Sequence, residues 1–304
     1  MRVAINCRSF LKRQYTGIGR YAYHLVKSLS EIDHGNEYHL YARKNFFCFN
    51  RRLPHFQAKN FIPRVDWLNR GPARILKNID VYHLPSPSPL AAPSGAKIVV
   101  TVHDLIFKAF PEGHTQQTIE EGKRQFAEIG QKASKIICCS LSTVNDLQKY
   151  CQIPAAKFTL VYQGVDKNIF YRIAEEESRW ADQALKAKGI EAPFIFSVGT
   201  IEPRKNLMNL MRAFHRLRSK GKFTGKLVVA GMKGWLTENI DALVKKLGLT
   251  KHIAFLGFLS DRELRYLYNK AEVFAFPSFY EGFGFPIVEA FGCQVPVVTS
   301  NVSR

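Results

Sequence analysis

No run of apolar residues in this chain approaches the roughly 20 that a bilayer-spanning helix needs, so no membrane-crossing helix is expected. Acidic residues are scarce, with 25 Asp+Glu against 44 Lys+Arg and a formal net charge of +19 over 304 residues. There is no Asp-x-Asp pair, and the histidines and six cysteines fall in no metal-ligand spacing. Both absences argue against a resident divalent cation or zinc, and no metal or other cofactor is expected. Cys138-Cys139 sits inside an apolar strand pattern and reads as buried, reduced thiol. Met1-Arg-Val-Ala-Ile-Asn reads as a strand from its second residue and not as a signal peptide, which points to a cytoplasmic protein.

The basic excess implies an anionic partner: nucleic acid, a membrane surface or a phosphorylated substrate. From Arg43 to Lys77 there are nine Lys/Arg and one acid, Asp66, interleaved with Phe46, Phe47, Phe49, Phe56, Phe61 and Trp67. Basic plus aromatic on one segment suits a peripheral membrane contact. Aromatics in the core beneath a solvated cationic face would give the same pattern.

Short β-branched apolar runs alternate with helical patterns. Strands are expected at Val3–Cys7, Tyr38–Tyr41, Val81–Leu84, Ile98–Val102, Ile136–Cys139 and Phe158–Tyr162, with helices at Tyr21–Leu29, Gln116–Ala133 and Ser142–Cys151. A charged passage around 173–189 interrupts the pattern. Strands resume at Phe194–Val198, Leu227–Ala230, Ile253–Leu256, Val273–Phe276 and Val295–Thr299, and helices at Leu207–Lys220, Asn239–Leu247, Asp261–Lys270 and Pro286–Phe291. This is the α/β signature of two Rossmann-like parallel-sheet domains facing a cleft. The expected division is 1–172, a linker at 173–192, and 193–304. Only Asn301-Val-Ser-Arg304 follows the last strand, so the second domain reads as incomplete.

Phe276-Pro-Ser-Phe-Tyr-Glu281-Gly-Phe-Gly-Phe-Pro-Ile-Val-Glu289 carries the most chemistry. Pro286 suits the opening of a helix, where its missing N–H costs nothing. Amides of Gly282, Phe283 and Gly284 then lie beside the positive end of the helix dipole, a site for phosphate. Glu281 precedes the turn and Glu289 is expected in the first helical turn, where carboxylates can accept from hydroxyls. Sugar, phosphate, sugar is the layout of a sugar nucleotide. Arg204-Lys205, after the strand ending at Val198, adds two cations suited to a diphosphate leaving group. His103-Asp104 ends a strand at the edge where α/β active sites lie. Gly17-Ile-Gly19 follows the first strand but is not a dinucleotide fingerprint: Ala22 takes the third glycine's place, and the second strand ends in Arg43 instead of an acid.

Together these elements resemble the family 4 (group 1) retaining glycosyltransferases of the GT-B fold, over the whole chain. The resemblance rests on Gly17/Gly19, His103-Asp104, Gln163-Gly-Val-Asp166, Gly199…Arg204-Lys205-Asn206 and, most specifically, Glu281-x7-Glu289. Gly-Thr-Ile-Glu-Pro-Arg-Lys-Asn is similar to the mannosyltransferase-like branch that builds cell-surface polysaccharides. The resemblance implies that Glu281 contacts donor-sugar hydroxyls and Glu289 the ribose. Phe283 and Gly284 amides, with Arg204 and Lys205, would hold the diphosphate. His103 would touch the sugar near its 6-hydroxyl, and Gly17 and Gly19 would admit the phosphates. It also implies a reaction on one face of the donor sugar, with a leaving-phosphate oxygen taking the acceptor's proton. Two departures stand out. Thr200 occupies the position after the phosphate-loop glycine where many members carry Arg, and the family's second domain continues past this chain's last strand.

The expected activity is metal-independent transfer of a hexose, mannose from GDP-mannose or another hexose from a UDP-hexose. The acceptor would be an anionic, lipid-linked or polysaccharide glycan at the inner membrane face. A glycogen- or sucrose-type enzyme would share the donor site, and an inactive truncated remnant would keep the fold. A nucleic-acid-binding role has charge alone behind it, without a recognition motif.

Overall fold

A computed structural model describes residues 1–11, 17–44, 53–234 and 238–302. The chain forms two compact units, Met1–Gln163 and Gly164–Arg304.

The first unit is built on β1 (Arg2–Asn6), β2 (Glu37–Arg43), β3 (Phe61–Asp66), β4 (Val81–Leu84), β5 (Lys97–Val102), β6 (Lys135–Cys138) and β7 (Phe158–Leu160). All pair in parallel, in the order β3-β2-β1-β4-β5-β6-β7. Its helices are α1 (Gly17–Ile32), α2 (Pro72–Ile75), α3 (Ile106–Ala109), α4 (Gln116–Lys132) and α5 (Leu141–Cys151). A parallel sheet must be covered on both faces, and successive strand residues serve opposite sides. Ala4 joins the cluster containing Phe126, Ile129 and Leu147 of α4 and α5, while Ile5 joins Ala22 and Val26 of α1.

The strand β3 lies in the basic, aromatic stretch and was not expected. Pro63 interrupts its pattern, but β3 is an edge strand, where a missing N–H is tolerated. Phe61 stacks on Tyr38 at 4.4 Å and Phe56 packs nearby, so these two aromatics belong to the core. Trp67 and Leu68 instead stand 46% and 57% exposed on the turn after β3. Phe46, Phe47 and Phe49 lie outside the described residues.

The second unit carries β8 (Phe194–Val198), β9 (Lys226–Ala230), β10 (Ile253–Phe255), β11 (Val273–Phe276) and β12 (Val297–Thr299), also parallel, in the order β10-β9-β8-β11-β12. Around them lie α6 (Glu175–Lys186), α7 (Leu207–Ser219), α8 (Glu238–Lys246), α9 (Asp261–Lys270) and α10 (Phe285–Gly292). Along β9, Leu227 and Val229 face Met211 and Phe214 of α7, whereas Val228 joins the cluster of Phe196, Tyr268 and Phe274.

The passage 173–192, expected as a linker, is largely α6. Its three leading glutamates, Glu175, Glu176 and Glu177, complement the helix dipole. Ala181 and Leu185, four residues apart, are buried, and Ala181 packs with Ile173 and Tyr266. Arg265 and Lys270 of α9 reach Glu177 and Asp182 at 2.6 Å each. Two buried positions among many charges sufficed to fix the helix to this unit.

Candidate active site

In the second unit the strand order turns between β8 and β11, the topological switch point where open α/β sheets bind ligands. Two loops leave the adjacent carboxyl ends: 199–206 after β8 and 277–284 after β11. Two hydrogen bonds to backbone carbonyls join them. The amide of Phe279 donates to the Arg204 carbonyl at 2.8 Å, and Asn206 Nδ2 donates to the Pro277 carbonyl at 2.9 Å. The first loop also rests on the chain after β9. Gly199 and Gly231 have φ of 148° and 134°, and a Cβ on Gly231 would sit 1.9 Å from the Gly199 carbonyl oxygen. Only glycine allows that approach.

Four charged side chains meet between the loops. Lys205 Nζ donates to Glu281 Oε1 at 2.6 Å, and Arg204 Nη1 donates to Glu281 Oε2 at 2.7 Å. Arg204 Nη1 also reaches the Tyr280 carbonyl at 3.1 Å. On its other side, Arg204 Nε and Nη2 contact Glu202 Oε1 at 2.8 and 2.6 Å. The Lys205 ammonium lies 4.6 Å from the centre of the Phe276 ring. Burial pushes the Glu281 carboxyl up, but the charges of Lys205 and Arg204 outweigh it and hold the group below the usual carboxylate range. Burial pulls the Lys205 ammonium below its ordinary value, with Glu281 opposing. Glu281 is thus a fixed anion whose two oxygens each face a cation.

The glycine-rich turn 282–284 follows directly. Gly284, at φ 87° and ψ 53°, is the N-cap of α10, which begins at Phe285 with Pro286 in its first turn. Among the described residues, the amides of Gly282, Phe283 and Gly284 donate no hydrogen bond to the protein. Three such donors beside a helix N-terminus form an anion site. Glu289 is the fifth residue of α10, just past the first turn where it was expected. It is buried and accepts from Tyr268 Oη at 2.9 Å.

In the first unit, His103 follows β5, whose neighbour β4 lies at that sheet's switch point beside β1. His103 Nε2 lies 2.8 Å from the Pro85 carbonyl oxygen, which can only accept, so Nε2 carries the proton. Nδ1 then accepts from Gln163 Nε2 at 2.9 Å. Burial holds His103 below the ordinary histidine range, in keeping with a neutral ring. Tyr21 meets this ring edge-on at 4.8 Å and shares a 3.2 Å hydrogen bond with Thr101, which His83 contacts at 2.9 Å. Burial, with His103 second, lowers His83 to about 4. Gly17 and Gly19 are the first and third residues of α1, and a Cβ on Gly17 would meet no atom within 4 Å. Among the described residues no packing demands glycine at 17.

Residues 15–168 match the profile of Glycosyltransferase Family 4, and 178–304 that of Glycosyl transferases group 1. The chain belongs to this glycosyltransferase family. Among curated relatives, the O-antigen chain mannosyltransferase B of Escherichia coli is 27% identical over 96% of this glycosyltransferase and 81% of its own length. The serotype-specific mannosyltransferase WbdA of the same species is 28% identical over 69% of the chain, which spans 26% of WbdA. The fold is that of solved GT-B enzymes. Sucrose-phosphate synthase from Thermosynechococcus elongatus superposes with a TM-score of 0.78 at 20% identity, covering 99% of this chain and 82% of that one. The activity of this chain is therefore that of a glycosyltransferase.

Sequence reasoning placed Arg204, Lys205, Glu281, Phe283, Gly284 and Glu289 in this unit, and the structure gathers the first three into one ion cluster. It missed Glu202 and Tyr268, which hold Arg204 and Glu289. Glu202 had a faint signal, an acid two residues before a cation in a loop; Tyr268 had none. Gln163, quoted only as part of a motif, turns out to hold His103. Among the described residues no group of three or more His, Cys, Asp or Glu is placed to hold a metal ion. No helix among them is long and apolar enough to cross a membrane.

Proposed function

We propose that this glycosyltransferase is a retaining, metal-independent hexosyltransferase that moves mannose from GDP-mannose to a lipid-linked or polysaccharide acceptor during cell-surface glycan assembly. The observation that carries the reading is the anion site: three amides without internal partners at 282–284, beside Lys205 and the fixed carboxylate of Glu281. The amides and Lys205 hold the diphosphate, whose charge grows as the sugar bond breaks. Glu281 accepts from the sugar hydroxyls, and Glu289, steadied by Tyr268, from the ribose. His103, in the first unit, is a neutral ring suited to a hydroxyl. As the donor's C1–O bond breaks, the acceptor oxygen bonds to C1 on the same face. Its proton passes to the departing phosphate oxygen, so neither glutamate forms a bond to sugar.

Mannose as the sugar is supported by the alignment with O-antigen chain mannosyltransferase B over 96% of the chain. The likeness to sucrose-phosphate synthase is one of fold alone. A panel of nucleotide sugars assayed for nucleoside diphosphate release should give the highest rate with GDP-mannose. A preference for a UDP- or ADP-hexose would replace the donor in this reading, and no turnover of any member would remove it.

Contact with an anionic membrane face is supported by the turn after β3. Asp66, buried, accepts from the amides of Arg70 and Gly71 at 2.9 and 2.8 Å and from Tyr41 Oη at 2.9 Å. This turn holds Trp67 and Leu68 outward, with Arg43, Arg70, Arg74 and Lys77 exposed on the same segment. Vesicles containing phosphatidylglycerol should sediment the protein and pure phosphatidylcholine vesicles should not. Equal sedimentation by a Trp67→Ala/Leu68→Ala variant would dismiss this contact.

A further inference from the structure

We infer that Arg204 is a positioning residue for Glu281, held in place by Glu202, and that Lys205 alone of the two adjacent cations binds the diphosphate. This rests on the reading of Glu281 as the donor-sugar carboxylate. All three guanidinium nitrogens are engaged inside the protein. Nε and Nη2 hold Glu202, and Nη1 holds both the Tyr280 carbonyl and Glu281 Oε2. Its own carbonyl accepts from the Phe279 amide. Arg204 is thus tied to the second loop at backbone and side chain alike, and the planar fork fixes the direction of the carboxylate.

Lys205 is differently placed. One N–H is given to Glu281 and the ammonium rests against an aromatic ring. An ammonium has three donors, so Lys205 can serve carboxylate and phosphate together. The charges also balance: Glu202 and Glu281 against Arg204 and Lys205. Glu202 is buried and belongs to that balance. Without its negative charge the cluster would gain a net positive one, which would attract phosphate more strongly while loosening the guanidinium that aims Glu281. Thr200 sits where many family members place an arginine, so in this chain the arginine arrives four residues later, and Glu202 faces it.

The test is calorimetric binding of GDP and of UDP to the 304-residue chain, set beside turnover of the best donor from the panel and thermal stability. Lys205→Met should weaken nucleoside diphosphate binding on the order of 30-fold. Arg204→Met should leave it within about twofold and lower kcat about tenfold or more. Glu202→Gln, close in shape, should raise nucleoside diphosphate affinity up to about threefold while lowering kcat about tenfold. A merely structural glutamate would weaken both. The double variant Glu202→Gln/Arg204→Met should lose no more kcat than Arg204→Met alone, because Glu202 acts through the arginine. This double variant removes both charges together, so it serves if the single change unfolds. Equal loss of GDP or UDP affinity in Arg204→Met and Lys205→Met would overturn the assignment. Binding of neither nucleotide by the wild-type chain would instead defeat the donor-site reading beneath it.

Discussion

At the carboxyl end of β5, His103 is held by a carbonyl and an amide, and its neighbours Thr101 and Tyr21 are neutral as well. Across the ends of β8 and β11, Glu281 is held by two cations, one of them held in turn by a second carboxylate. Glu281 stands at the switch point of its sheet and His103 one strand away from the switch point of the other, yet one group is kept uncharged and the other kept charged. Burial explains the first directly, since a desolvated imidazole favours its neutral form. The second works against burial, because a desolvated carboxylate stays ionised only when paired. A neutral network can orient a polar substrate without attracting phosphate. An ion cluster beside free amides attracts phosphate and fixes a hydroxyl acceptor at once.

The contrast can be broken most severely at Glu281. Glu281→Gln removes the charge but little volume, and turnover should fall about 1,000-fold, roughly 4 kcal/mol in the transition state. Donor affinity should change far less, and steady-state kinetics would separate the two. Acid probes the other side. His83 is held to about 4 in the fold against about 6.5 when unfolded. Between those values the unfolded chain binds the extra proton, so stability present above pH 6.5 is lost as pH falls, by roughly 3 kcal/mol in all. The carboxylate of Glu281, held below its ordinary value, remains ionised over much of the same range. Hydrogen exchange at pH 6.5 and pH 4 should therefore show residues 81–103 losing protection before 273–289, and His83→Gln should flatten the difference. The opposite order would contradict the electrostatic contrast.

A smaller effect is expected at the phosphate. Lys205→Ala should weaken nucleoside diphosphate binding by roughly 2 kcal/mol, the worth of one charge-assisted contact; an unchanged Kd would take Lys205 out of the site. The smallest belongs to the neutral network. Gln163→Leu removes the donor to Nδ1 and should lower kcat/KM about tenfold, or roughly 1.4 kcal/mol. The 15N shifts of the His103 ring should then lose the signature of a single Nε2–H tautomer. A variant that keeps that signature would show that Pro85 suffices.

Much of the scaffold was legible because local and tertiary preferences agree. Val81–Leu84, Phe194–Val198 and Val273–Phe276 are short, mostly apolar runs and form strands with those limits. The helix α9 starts at Asp261 as expected, where Ser260 and Glu263 make a reciprocal capping box. The turn before α10 was legible for the same reason, since glycine and proline declare backbone geometry by themselves. What escaped depends on partners far along the chain. β3 is a strand because β2 pairs with it, and α6 is a helix of the second unit because α9 receives its few apolar residues. The pairing of Arg204 with Glu281 spans 77 positions, and no local pattern announces which of two neighbouring cations will be tied down.

The contact between Gly199 and Gly231 has a further consequence for how donor preference in this enzyme could change. The loop bearing Arg204 and Lys205 is mounted on bare backbone, and the amide of Ile201 continues the mounting by donating to the Met232 carbonyl at 2.9 Å. A mount with no side chains cannot be adjusted in small steps. A library randomised across this region should return variety at exposed Thr200 and almost none at 199 or 231. New specificities would have to be written on an unmoved frame.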